Sequence, residues 1–440
     1  MKERDTLKIN KAGHLEIGGA DCVKLAEKYG TPLYVMDEAY IRSVCRSYTS
    51  VLKECYPDFK IVFASKAFST LAIYNIVKSE GLGADVVSGG ELYTALKAGM
   101  PQGDIYFHGN NKTPDELKFA VESGVHAVVA DSIYELDLLD EIARHHGVKQ
   151  KVMLRVNPGI DAHTHRFIQT SRPDSKFGFG IADGSSEKAV LYATKKQNIE
   201  FIGLHSHIGS QIFELKPFEL AVDKMTDFIS LLNREHSITV RELNMGGGYG
   251  VTYTSEDKPL APQDYALTIA KKLRECTASK GILSPRLILE PGRSIVGEAG
   301  ITLYTVGAIK EIPGIKKYIS VDGGMFDNPR YALYQSKYDA ILCNRALDKP
   351  EETVTVAGKC CESGDMLIES IKLPKVNHGD ILAVFTTGAY NYSMASNYNR
   401  NAVPPVVLVN EGQSDYIVRP QTYDEIIARD VIPSRLGANK

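Results

Sequence analysis

The sequence predicts an α/β chain: a (β/α)8 TIM-type barrel plus a C-terminal antiparallel β domain completed by the N-terminal segment. Three observations predict it. Eight short apolar, β-branched runs recur through the middle of the chain with helix-like stretches between them, which implies a parallel sheet, and eight units imply closure. After about residue 298 the texture changes to short β-rich segments broken by Gly, Pro and Asn, with few long amphipathic helices. The length of 440 residues accommodates a barrel of about 250 residues and leaves a second domain's worth of chain. The boundaries read as 38–298 for the barrel, with 1–37 and 299–440 forming the β domain. An open doubly wound sheet competes with the barrel on pattern alone.

In chain order the predicted barrel strands are Ile61–Ala64, Ala84–Ser88, Asp104–His108, Ala127–Ala130, Val152–Asn157, Phe201–His207, Glu242–Met245 and Arg286–Glu290. The first five start 20 to 25 residues apart, the length of a strand, a turn, a short helix and a turn; wider later gaps leave room for longer loops. Helices are expected over Glu91–Ala98, Thr113–Ser123 and Phe218–Asn233, with Thr113 a cap before Pro114. The β domain draws on Thr302–Ile309, Lys317–Asp322, Thr353–Ala357, Ile381–Phe385, Val406–Val409 and Asp415–Arg419. His14–Ile17 and Pro32–Met36 read as strands that complete it.

Composition narrows the function classes. An apolar fraction of 43% and a charged fraction of 24% are ordinary globular usage. Fifty-one basic against 54 acidic residues give a net charge of −3, so no positive excess exists to hold a nucleic-acid backbone. No apolar stretch approaches the roughly 18 residues of a membrane span, and the acidic, non-apolar start Met1–Asp5 carries no secretory signal. A cytoplasmic location is the expectation. The seven cysteines are scattered without paired CxxC spacing, which argues against a disulfide framework or a structural zinc site.

The unusual residues fall at the C-terminal ends of the predicted strands, where the loops of such barrels build their sites. Lys66 follows the first strand; it either carries its charge out to solvent or acts as a nucleophilic amine. His205 and His207 lie two apart at the end of the sixth strand, followed by Ser210. A metal pair is one reading of these histidines, but no acidic or cysteine ligand has suitable nearby spacing, and no metal is expected. A hydrogen-bonded core histidine is another. Gly246–Gly248 close the seventh strand, either as a tight turn or as a run whose N–H groups can approach a phosphate. The dinucleotide fingerprint and the P-loop Lys-Ser/Thr are both missing. Glu290-Pro291-Gly292-Arg293 ends the eighth strand, where a buried carboxylate needs a partner. It is either a rim ion pair with Arg293 or the partner of a protonated ring nitrogen. An amine for an aldehyde, amides for a phosphate and a carboxylate for a ring nitrogen together suit pyridoxal phosphate (PLP).

These segments resemble the alanine-racemase-type PLP barrels that act as decarboxylases. The resemblance is carried by Phe63-Ala64-Ser65-Lys66-Ala67, His207-Ile208-Gly209-Ser210, Gly246–Gly248 and Glu290-Pro291-Gly292-Arg293, with Gly358–Asp365 and Gly388-Ala389-Tyr390 in the second domain. It runs from His14 to about residue 430, and within the family it is nearest to the members that convert meso-2,6-diaminopimelate to L-lysine and CO2, the last step of lysine synthesis. The resemblance implies that Lys66 carries PLP, His207 stacks on its ring and Asp85 helps orient the lysine and ring. Ser210, Gly247, Gly248 and the Gly292–Arg293 turn hold the phosphate, with Tyr390 alongside, and Glu290 pairs with the ring nitrogen. Arg293, Arg330 and Tyr334 bind the substrate's distal carboxylate, Tyr390 also lines the substrate, and Glu362 binds the distal amino group. Cys361 is the acid at Cα. Because the family supplies Cys361 and Glu362 from a second subunit, a homodimer is implied. The family has a proline where this chain has Tyr331, which is expected to loosen the loop that presents Arg330.

The chemistry agrees with that reading. An anionic Glu290 keeps the ring nitrogen protonated, so the ring can delocalise the electron pair left at Cα; racemases of this type place an arginine there instead. Arg330 and Tyr334 add carboxylate recognition that a simple diamino acid does not need. Decarboxylation of a related substrate (D-ornithine, D-lysine or a carboxylated polyamine) and a non-catalytic PLP-binding role remain the alternatives. The second of these predicts loss of Lys66 or Cys361, and both are present.

Overall fold

The computed structural model describes residues 4–160 and 175–437. The chain divides into two compact units, one of Glu38–Ala299 and one of Met1–Asp37 with Gly300–Lys440.

In the first unit eight parallel strands close on themselves. They are β1 (Phe59–Ala64), β2 (Gly83–Val86), β3 (Ile105–Phe107), β4 (Ala127–Ala130), β5 (Gln150–Asn157), β6 (Ile199–His205), β7 (Glu242–Asn244) and β8 (Arg286–Leu289). Each pairs with the next, and β8 returns to β1, so the sheet has no free edge. Val62, Tyr106, Ala127, Val129, Met153, Ile202 and Ile288 interlock in a buried cluster contributed by six of the eight strands. All eight predicted strands are present, their ends displaced by at most two residues. One displacement matters: β6 stops at His205, so His207 and Ser210 lie on the loop beyond it and the two histidines do not share a strand face.

Helix Pro114–Ser123 shows how local sequence sets an element. Thr113 Oγ1 accepts from the Glu116 N–H at 3.2 Å and Glu116 Oε2 accepts from the Thr113 N–H at 3.0 Å, a reciprocal cap with Pro114 in the first turn. Gly124, at φ 68°, ends it.

The loop leaving β3 is held from beneath by a buried ion pair. Lys112 Nζ donates to Glu135 Oε1 at 2.6 Å, to Val129 O at 2.7 Å and to Gly109 O at 2.9 Å. Both side chains are almost wholly buried. Burial pulls the lysine down and pushes the glutamate up, and each opposes the shift in the other. Replacing one partner leaves a buried charge uncompensated: Lys112→Met is expected to destabilise the protein by about 3–5 kcal/mol, and adding Glu135→Met to recover much of that. Chemical denaturation checks this; a loss below about 1 kcal/mol in the single variant would mean the site takes in water.

The second unit holds a mixed sheet. Leu33–Asp37 lies between Gly300–Ile312, to which it is antiparallel, and Val406–Asn410, to which it is parallel. The N-terminal segment thus completes this sheet. The expected antiparallel β domain is present with most pairings antiparallel, and the sheet is mixed because Lys316–Val321 and Glu352–Ala357 also pair in parallel. Neither parallel pair is joined by a hairpin: a long segment carrying helix Arg330–Tyr334 separates one, and the whole barrel separates the other. Leu15–Ile17 goes instead to a small antiparallel sheet with Leu7–Ile9 and Ala20–Asp21. Strands Ala340–Leu342 and Met366–Leu373 were not expected; the second has adjacent exposed residues at Glu369 and Ser370 that break the alternation. Leu15, Ile17, Leu33, Val35, Ile301, Leu303, Ala383, Val407 and Val409 belong to one buried core. Among the described residues no helix is long and apolar enough to cross a membrane.

Candidate active site

Glu290, the first residue past β8, is only 7% exposed. Three side chains from other strand ends surround its carboxylate. Asn244 Nδ2 donates to Oε1 at 2.6 Å, His108 Nε2 lies 2.8 Å from the same oxygen, and His205 Nε2 lies 3.3 Å from Oε2. Burial pushes the carboxyl up, but His108 and His205 outweigh it and hold Glu290 well below the usual range. Burial pulls His205 down to about 4, so its imidazole is neutral. Its Nδ1 makes no hydrogen bond, which leaves Nε2 as the donor to Glu290. For His108 burial also lowers the pKa, yet Asp85 and Glu290 raise it above the usual value. Asp85, on β2, is pushed up to about 6 by burial.

Lys66 sits exposed on a short 3-10 turn, Ser65–Ala67, directly after β1. It takes part in no hydrogen bond or ion pair among the described residues. The neighbouring turn after β8 packs onto this one so closely that a Cβ on Gly292 would lie 2.8 Å from the Ala64 Cβ. The glycine run is tighter still. A Cβ at Gly247 would fall 2.1 Å from Glu290 O, and one at Gly248 (φ 102°) 2.1 Å from Gly209 O. His207 is half-buried against this run, its Nδ1 accepting the Gly247 N–H at 3.2 Å. Burial, then the charges of Lys66 and Arg155, pull its pKa well down, so it is neutral. Arg293 is buried and donates to Ser210 Oγ at 3.1 Å and to the Tyr253 hydroxyl. The barrel unit therefore gathers Lys66, Asp85, His207, Ser210, Gly247, Gly248, Glu290, Gly292 and Arg293 at the C-terminal ends of its strands.

The remaining predicted residues belong to the β unit. Arg330 opens helix Arg330–Tyr334, is buried, and donates to the Tyr338 hydroxyl at 3.0 Å; Tyr334, half-buried, ends the same helix. The expected loosening by Tyr331 is countered here, because its hydroxyl donates to Glu369 Oε2 at 2.9 Å, a tether that a proline lacks. Cys361 and Glu362 are exposed, the Cys361 N–H donating to Asn399 Oδ1 at 2.9 Å. Tyr390 is half-buried at φ 66°. Asp365 joins two loops: Oδ1 accepts from the Met325 N–H and Oδ2 from the Cys360 N–H, both at 2.6 Å. One loop leads to Arg330 and the other carries Cys361 and Glu362.

Several contributing residues were not singled out by sequence reasoning. His108 closed a predicted strand, the position that marked His207 and Glu290, and that signal was available. Asn244 and Arg155 had none. The spacing argument against a metal also overlooked Glu290, 85 residues beyond His205. Among the described residues His108, His205 and Glu290 form a group whose ligand atoms all lie within 4.8 Å.

Residues 41–297 match the family model of the pyridoxal-dependent decarboxylases, pyridoxal binding domain. Diaminopimelate decarboxylase of Bacillus subtilis is 47% identical over 99% of both chains. The crystal structure of diaminopimelate decarboxylase from m. jannaschii in co-complex with L-lysine superposes with a TM-score of 0.92, at 38% identity over 98% of this chain and 99% of that one. Its counterpart from Helicobacter pylori complexed with L-lysine gives 0.84 at 31% identity, covering 92% and 98%. The chain belongs to the diaminopimelate decarboxylases, a family of pyridoxal-dependent barrel enzymes.

The residues present fit that cofactor. The site offers a lysine amine without a hydrogen bond or ion pair among the described residues, turns in which a side chain would collide with backbone, and a buried carboxylate kept anionic. These match the aldehyde, the phosphate and the ring nitrogen of PLP.

A second buried acid has the opposite character. Asp327 accepts from the Tyr304 hydroxyl at 2.6 Å and from the Gly324 N–H at 3.1 Å, and burial pushes it up to about 8. Folded, it keeps a proton that the unfolded chain loses near the ordinary aspartate value of about 4, so its contribution to stability falls as pH rises from about 4 to about 8. The melting temperature of Asp327→Asn should therefore improve relative to wild type across that window. A constant difference in a pH series of thermal melts would mean Asp327 is ionised throughout.

Proposed function

We propose that this chain decarboxylates meso-2,6-diaminopimelate to L-lysine and CO2, the last step of lysine synthesis, as a cytoplasmic homodimer. The observation that carries the substrate is the likeness to diaminopimelate decarboxylases over essentially the whole chain, both units included. The buried, anionic Glu290 supports the reaction type.

Lys66 binds the PLP aldehyde, with Asp85 orienting the lysine and ring. Ser210, Gly247, Gly248, Gly292 and the amide of Arg293 hold the phosphate, with Tyr390 beside it. His207, held neutral and braced by the Gly247 N–H, supplies a flat face for the ring. Bound PLP supplies an electron sink for the pair left when the Cα–carboxylate bond breaks and CO2 departs. Glu290 keeps the ring nitrogen protonated by direct charge pairing. The Cys361 thiol then delivers a proton to Cα.

At the distal end Arg330 offers the carboxylate a forked donor, Tyr334 and Arg293 add to it, Tyr390 lines the substrate, and Glu362 takes the ammonium. Asp365 keeps the Arg330 and Cys361–Glu362 loops in register. The exposure of Cys361 and Glu362 supports their delivery to the site of a second copy, since a proton donor and an ammonium ligand act best out of bulk water.

Release of CO2 by the PLP-loaded protein from meso-diaminopimelate, beside D- and L-lysine, D- and L-ornithine and L-arginine, tests the assignment. Release from diaminopimelate alone with L-lysine as product is expected; release only from another member would discard the distal-carboxylate roles. Arg330→Ala should raise KM for diaminopimelate about tenfold to a hundredfold, the worth of a charge-assisted hydrogen bond, while PLP stays bound. An unchanged KM would remove Arg330 from the substrate site. Cys361→Ala should keep the cofactor's absorption and lose most turnover, whereas full activity would point to another proton donor.

A further inference from the structure

His108 takes no part in the roles given above, yet it lies among three other titratable groups at the barrel mouth, Asp85, His205 and Glu290. It follows β3 directly, its N–H donating to Val86 O at 2.8 Å, and only about 5% of it is exposed. Its Nε2 lies 2.8 Å from Glu290 Oε1 and 3.7 Å from Asp85 Oδ1, an oxygen that accepts no hydrogen bond. Its ring meets that of His205 edge to face at 4.7 Å and 72°. Beneath it the Lys112–Glu135 pair fixes the loop through Gly109 O.

The charged groups facing this point come from every neighbouring strand end. Asp85 (after the middle of β2) and Glu290 (after β8) are acidic, with Asp131 (after β4) further off. Arg155 on β5 and Lys66 after β1 are basic, and His205 is neutral. Asp85 and Glu290 repel each other, each favouring the other's protonated form. Arg155 acts on both through its charge, while among the described residues the His108 imidazole comes within 4 Å of both. Without it, one proton shared between two buried carboxylates would relieve the repulsion, as in any close acid pair.

We propose that His108 is a positioning residue for the decarboxylation: it bridges Asp85 and Glu290, so that Glu290 stays ionised and held in place for the cofactor's ring nitrogen. This rests on the pairing of Glu290 with that nitrogen. His108 touches neither substrate nor the reacting carbon; it acts through Glu290. Its loss weakens the electron sink and leaves the distal contacts of the substrate alone, so kcat falls and KM does not.

The test uses the PLP-loaded enzyme with His108→Gln and His108→Asn, and Glu290→Gln as reference. In both His108 variants kcat should fall about tenfold to a hundredfold, the usual effect of removing an outer partner of a functional group, with KM for diaminopimelate within about threefold. The pH at which the bound cofactor's absorption changes should move by about one unit, and Glu290→Gln should move it further. A loss of turnover with an unmoved spectral titration would reduce His108 to a structural role and overturn the proposal. If Glu290→Gln itself leaves the titration in place, the ring-nitrogen pairing fails, and the role of His108 fails with it. Nitrogen NMR of histidine-labelled wild-type protein needs no folded variant: the His108 ring should lose its second proton at a higher pH than an ordinary imidazole, and a loss at lower pH would overturn the proposal independently.

Discussion

A carboxylate as deeply buried as Glu290 loses several kcal/mol of hydration and ordinarily takes up a proton rather than remain charged. In this chain three side chains from three other strands prevent that, one amide and two imidazoles. The need to keep that one charge explains why His108, His205 and Asn244 all converge on it, and why Asp85, which lacks such support, titrates near 6. The two histidines sit in nearly the same surroundings and shift in opposite directions. His108 faces two carboxylates, which raise its pKa, whereas His205 faces one edge of Glu290 and is pulled down to about 4. Local charge count, not burial, separates them.

The closed barrel makes this convergence possible. Eight parallel strands present their C-terminal ends on one rim, so residues far apart in sequence arrive with the same polarity. The turns at that rim are packed backbone to backbone. A Cβ at Gly247 or Gly248 would lie 2.1 Å from a carbonyl oxygen, so the glycines are needed to seat the turns on one another before any ligand is considered. His207 is braced by the same run. The positions of the imidazole and of the phosphate-type turn therefore follow from one packing constraint.

The β unit uses a different device. Asp365 is the common acceptor for the loop leading to Arg330 and the loop carrying Cys361 and Glu362. Asp327, clamped by Tyr304 and kept protonated by burial, anchors the approach to Arg330. Tyr331, hydrogen-bonded to Glu369, adds a tether where rigidity would otherwise come from a proline ring. The loops around Arg330, Cys361 and Glu362 are thus fixed by neutral or backbone-directed hydrogen bonds.

The sequence by itself determined the eight strands, the cap at Thr113 before Pro114, and the placement of Lys66, the glycine run and Glu290 at strand ends. Such features depend on short-range periodicity and on residue types with few structural alternatives. Only the tertiary structure decided which side chains face Glu290: Asn244 carries no signature at all, and the strand-end position of His108 does not say what it faces until the barrel closes and brings both within reach of the carboxylate. The same holds for the parallel pairings in the β unit, where the partner of Leu33–Asp37 lies on the far side of the whole barrel in sequence. Strand direction there is set by long connections that no local pattern encodes. The charge states of the two histidines belong to this class as well: a protonation state reports the sum of surrounding fields, and that sum exists only in the folded chain.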